Sequence, residues 1–169
     1  VDASGPAREQ AARMLAAGDY LGAAQRYREL ALQSPDRARA ATDWLLAAEA
    51  ARSGRHWHLV REALQQLDPN SLSPEQSLQR RILDTDSLPQ GYKPTGAPET
   101  LQTNIGDNAP LPLQVRFHEA RATAFRQLGN LLETARTLET VDALQSTLAD
   151  RVATQTELLR TLTLVNERA

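Results

Sequence analysis

The chain has 169 residues, a mass of 18.6 kDa and a formal net charge of −2. That is enough for one domain or one compact stack of repeats and too little for two large domains. Ala (27) and Leu (26) supply 53 of the 69 hydrophobic positions, Val and Ile together only eight, and aromatics make up 4%. Ala and Leu head the helix-propensity ranking, and a chain this poor in β-branched and aromatic residues has little from which to build a sheet core, so the fold class is all-α. The absence of Cys excludes disulfides, thiolate metal sites and Cys nucleophiles. There is no basic excess to mark a nucleic-acid partner, and no apolar run approaches the ~20 residues that cross a bilayer. The 18 Arg against the single Lys93 read as compositional bias. Val1–Pro6, with no Met and no charged-then-apolar leader, reads as the start of an excised fragment or processed product.

The first helix is expected from about Ala7 to Ala17, with Ala7, Ala11 and Met14 on its buried stripe and Gly18 as its stop. Asp19 caps the second, which buries Tyr20, Ala23, Tyr27 and Leu30 or Ala31. Ser34-Pro35 places an N-cap and a first-turn Pro ahead of a third helix to about Ser53, inward at Leu45, Ala48 and Ala51 or Arg52, with Trp44 at the margin. The fourth runs from Trp57 to Leu67 and buries Leu59 or Val60, Ala63, Leu64 and Leu67. Ser73-Pro74-Glu75-Gln76 is a capping box with Pro at the first helical position and opens a fifth helix to about Leu83.

From 84 to 112 the periodicity breaks in a stretch rich in Pro and Gly. It reads as an irregular, mobile insertion, with one short helical turn near 98–102. Helix six resumes at Leu113 and runs to Leu128, inward at Val115 or Phe117, Ala120, Ala124 or Phe125, and Leu128. Helix seven covers Leu131 to Val141 with Leu131, Ala135, Leu138 and Val141 inward, after the cap Asn130 and its box partner Glu133. The last helix, capped near Ser146 or Thr147, is expected to bury Leu148, Val152, Leu158 or Leu159, Leu162 and Val165. Arg151, Thr154, Glu157 and Arg160 would form its polar outer face.

Gly18 and Gly129 lie 111 residues apart, three times 37, and Trp57 follows Tyr20 by 37. A period of 35–40 made of two helices marks a helical-hairpin repeat. Gly18-Asp19-Tyr20, Ala23, Tyr27 and Pro35 resemble a tetratricopeptide (TPR) motif, and Ala122, Phe125, Gly129 and Leu138 match it again, with Thr134 where Ala is usual. The middle copy has one extra residue between Gly54 and Trp57. The resemblance implies one domain, 1–169. It would be a short right-handed solenoid of antiparallel hairpins at about 7–33, 35–67, 74–128 (interrupted by the 84–112 insertion) and 131–166.

The runs Trp44–Ala51, Ala120-Arg121-Ala122, Val141–Leu144 and the Gln155–Leu162 helix are together similar to the N-terminal domain of the LpoA (LppC) lipoproteins. These are activators of class A penicillin-binding proteins in Gram-negative bacteria. The resemblance covers most of the chain outside 84–112 and rests on helical patterns. It implies a periplasmic domain, anchored to the outer membrane through a lipidated N-terminus that precedes this fragment. The penicillin-binding protein contact, and peptidoglycan as a possible further ligand, belong to the same implication, with that contact made by a C-terminal domain not contained here.

No catalytic motif, phosphate-cradling loop or zinc spacing is present, so the expectation is a non-enzyme without cofactor or metal. His56 and His58 flank Trp57 without a third ligand, and His118 lies mid-helix. Asp84 and Asp86 lack calcium-loop spacing. First-helix positions of the repeats offer a candidate partner groove of Arg8, Trp44, Arg52, Arg116, Glu119 and Arg126, suited to an acidic peptide or anionic polymer. A generic TPR-like peptide adaptor and a helical accessory domain of a cell-wall enzyme are the alternatives.

Overall fold

The computed structural model describes residues 5–88, 105 and 108–167. It is all-helical, with no strand among the described residues. The chain divides into two compact units, Val1–Ser87 and Leu88–Ala169, so the two helices expected to form the third hairpin lie in different units.

The first unit contains α1 (Gly5–Ala16), α2 (Tyr20–Gln33), α3 (Arg37–Ser53), α4 (Trp57–Gln65), a 3-10 turn (Pro69–Ser71) and α5 (Pro74–Asp86). Each of α1 to α4 packs on the next, and α5 closes on both α3 and α4. Its core is rich in alanine: Ala23, Ala24, Ala48, Ala50, Ala51 and Ala63 surround Leu45, Val60, Leu64 and Leu83. Small residues let helix axes approach closely. The few large aliphatics then supply most of the burial energy, at about 2 kcal/mol for each fully covered Leu or Val.

Start signals were largely legible. Asp19 caps α2 by accepting from the Gly22 amide at 3.0 Å. Ser73 and Gln76 form the expected reciprocal box, at 3.1 and 3.0 Å. The third helix departs from expectation, because its N-cap is Asp36, which accepts from Ala38 N. Ser34 instead ends α2, and Pro35 lies in the connection. Tyr20, expected to be buried, opens α2 and is 37% exposed. Leu30 and Ala31 are both buried. Helix α5 extends three residues into the stretch read as insertion, and the next described helix takes up its last two, starting at Leu111. The expected turn near 98–102, and the mobility expected there, fall outside the described residues.

The second unit contains α6 (Leu111–Gln127), α7 (Leu131–Leu144) and α8 (Leu148–Glu167). Helix α7 packs on both neighbours. Phe117, Ala120, Ala122 and Ala124 on α6 and Ala135, Leu138 and Val141 on α7 are the unit's buried apolar residues. The first two hairpins and α6–α7 share a register. Left-handed backbone occurs at Gly18 (φ 83°), Arg55 (φ 58°) and Gly129 (φ 74°), followed by N-caps Asp19, His56 and Asn130. These sites are 37 and 74 residues apart. Burial recurs at the same intervals: Ala11, Ala48 and Ala122; Ala23, Val60 and Thr134; Tyr27, Leu64 and Leu138; Leu30, Leu67 and Val141.

Helix α8 meets its expected facing only in part: Leu158 and Val165 are half-buried and Arg151 and Arg160 exposed, as expected. Thr154, assigned to the outer face, is buried along with Thr161, whereas Leu148, Val152, Leu159 and Leu162 are exposed. Polar links set this rotation. The Thr154 hydroxyl donates to Gln145 Oε1 at 2.7 Å, Arg151 and Gln155 donate to Asp142 on α7, and Arg126 on α6 pairs with Glu157 at 3.0 Å. Thr161 gives its hydroxyl to the Glu157 carbonyl one turn back, which leaves its methyl to pack like that of Val.

Candidate functional site

The expected groove residues do not share one surface in the first unit. Arg8 on α1 reaches Asp43 on α3 with both arms of its guanidinium, Nε to Oδ1 at 3.0 Å and Nη2 to Oδ2 at 2.7 Å. Asp43 is fully buried, so this bidentate pair is a structural strut between the two helices. Tyr27 lies close by; burial, and secondarily the Asp43 charge, push its phenol above the ordinary tyrosine range. Sequence reasoning missed Asp43. The available signal was a carboxylate next to Trp44 inside the largely apolar run Ala41–Ala51, where burial of a charge demands a partner.

Trp44, the next residue, is 7% exposed and part of the core. It faces α2 and α4, where it lines an apolar depression of about 370 Å³ open to solvent, floored by Ala24, Ala47 and Ala63 with Leu59 on its wall. Arg28 and Glu62 pair across its rim at 2.9 Å. Arg52 turns elsewhere, to Glu49 at 3.2 Å and to Asp86 on α5 at 3.7 Å. Beside it Gln79 donates to Glu49 at 3.0 Å, and Gln76 donates to Thr42 at 3.2 Å. Helices α1, α3 and α5 are thereby stitched by polar side chains that a peptide groove would have left available.

In the second unit Arg116, Glu119 and Arg126 lie along one side of α6 at spacings of 3 and 7. Arg116 is half-buried and Glu119 exposed, and Arg126 is engaged by Glu157. His118 is half-buried, and desolvation, with Arg121 adding repulsion, lowers its pKa below the ordinary 6.5. His56 and His58 meet edge to face at 6.4 Å. Among the described residues no three His, Cys, Asp or Glu side chains gather as metal ligands, and no helix is long and apolar enough to cross a membrane.

No protein-family model, curated protein or solved structure matches the chain.

Proposed function

We propose that this chain is a non-catalytic, TPR-like helical scaffold, a short right-handed solenoid that acts through protein contacts. The observation that carries the reading is the 37-residue recurrence of turn, cap and buried positions. A repeated register builds an extended surface, whereas catalysis needs a one-off constellation. The use of charge supports it too: Asp43, Asp86, Asp142 and Glu157 all engage arginines that tie helix to helix. The resemblance to the LpoA lipoproteins extends the proposal. The chain would be the periplasmic arm of an outer-membrane lipoprotein that stimulates a peptidoglycan synthase, spacing and orienting a separate synthase-contacting domain.

The test combines the purified chain with peptidoglycan sacculi, and separately with a class A penicillin-binding protein and its lipid-linked precursor. The chain alone should release and polymerise nothing. Excising it from the lipoprotein that carries it should lower synthase stimulation. Release of muropeptides by the chain alone overturns the non-catalytic reading, and stimulation unaffected by the excision overturns the scaffold role.

One observation favours peptide capture as a second reading. The depression beside Trp44 has the apolar floor and charged rim that suit one aliphatic or aromatic side chain of a bound segment. Filling it with Ala47→Leu should abolish capture of any such peptide while leaving the helical circular dichroism unchanged.

A further inference from the structure

Helix α8 turns Thr154 and Thr161, with half-buried Leu158 and Val165, to its own unit and leaves a stripe of large aliphatic side chains exposed. Leu148, Val152, Leu159 and Leu162 are 80%, 53%, 66% and 42% exposed, while Thr154 and Thr161 are buried. At about 100° per residue, the four aliphatics share a stripe with Gln155 and Asn166, roughly a third of a turn away from buried Thr154 and Thr161. The steps along this stripe, 148-152-155-159-162-166, alternate 4 and 3. That is the narrow seam of a two-helix coiled coil, with Val152, Leu159 and Asn166 in the a series and Leu148, Gln155 and Leu162 in the d series.

We propose that α8 is a self-association helix, through which two copies of this chain pair in parallel and in register. The polar seam residues select a second copy over an unlike helix. The Asn166 amide both donates and accepts, so it is satisfied opposite its own copy and stranded opposite a leucine. An Asn at an a position is also the residue that fixes parallel, in-register pairing. Gln155 already gives its amide hydrogens to Asp142, at 3.2 and 3.3 Å, so its aliphatic stem can join the seam without a lost donor.

Charge is compatible with a two-fold axis. The solvent-side flank of the seam is Ala149, Thr156 and Thr163. The nearest cation, Arg151, is turned to Asp142, and Glu157 is held by Arg126. Pairing therefore brings no like charges face to face, and a net charge of −2 per chain opposes association little. This inference stands apart from the scaffold reading, because it uses only the facing of α8.

The test uses the whole chain, in which an introduced cysteine is the only thiol. Sedimentation equilibrium between about 1 and 500 µM should show monomer passing to a mass of two chains, as expected for a small interface. Leu159→Glu, on the exposed face, should remain monomeric throughout with unchanged helical circular dichroism. On oxidation, Leu162→Cys, which keeps Asn166 in place, should form a disulfide dimer at least ten times faster than Arg160→Cys, off the seam. A monomer at every concentration, or a Leu159→Glu variant that still dimerises, overturns the proposal. Equal cross-linking of the two cysteine variants overturns the parallel register.

Discussion

Arg55 occupies the backbone position that Gly18 holds 37 residues earlier, with φ of 58° against 83°. In both hairpins this left-handed residue ends one helix and is followed by the N-cap of the next. The neighbouring Gly54, with φ −87°, is ordinary in conformation and is small for another reason. A Cβ there would stand 2.9 Å from Tyr20 Cβ and 2.7 Å from His56 Cδ2. The two roles of a single glycine are thus split over two residues. Relief of left-handed strain at an L-residue, less the extra unfolded-state freedom of Gly, should make Arg55→Gly more stable by about 0.5–1 kcal/mol. Gly54→Ala should be less stable, and urea denaturation of the two variants checks both signs.

That split explains what the sequence disclosed and what it hid. The 37-residue period is legible because turns and caps need particular residues. The middle copy has one extra residue after Gly54 because Arg55, not Gly54, takes the left-handed place of Gly18. In the observed register Leu45, not Trp44, lies 37 after Arg8. On α8 the inward place of Thr154 is hidden for a different reason. Threonine counts as polar in a pattern, yet a hydroxyl bonded within its own helix or to Gln145 lets Thr154 and Thr161 be buried. Asp43 was hidden because its partner is 35 residues away on another helix.

The Arg8–Asp43 strut predicts an asymmetric response to mutation. Arg8→Met strands a fully buried carboxylate and should cost about 2–4 kcal/mol, the lower part of this range reflecting the partial exposure of Arg8. Arg8→Met combined with Asp43→Leu removes the stranded charge and should recover most of the loss. Thermal denaturation of the two variants decides it: a double variant no more stable than Arg8→Met would mean that the pair does more than neutralise a buried charge.

His118 should make stability fall on mild acidification. Its folded-state pKa lies below the unfolded value of 6.5, chiefly through desolvation. Below pH 6.5 the unfolded chain takes up the proton more readily than the folded one, so stability is complete above that pH and declines as pH falls through the window beneath it. His118→Gln should flatten this slope in denaturation midpoints measured between pH 7.5 and about 5. A slope unchanged by the substitution would place the acid sensitivity elsewhere.

Thr134 tests the repeat register in a core of known neighbours. It is fully buried, at the position taken by Ala23 and Val60 in the two earlier hairpins. Its hydroxyl donates to the Asn130 carbonyl at 2.9 Å, but that carbonyl already accepts from the Thr134 amide at 3.1 Å. Removing the hydroxyl therefore leaves no orphaned acceptor, and Val has nearly the same shape. Thr134→Val should be neutral or stabilising by up to about 1 kcal/mol, against the usual cost of a core change. Thr154→Val should behave in the opposite way, because Gln145 Oε1 takes its 2.7 Å bond from that hydroxyl. It should lose about 1 kcal/mol, the typical net worth of such a bond. Comparing the two substitutions by urea denaturation separates a threonine that merely tolerates burial from one that positions α8.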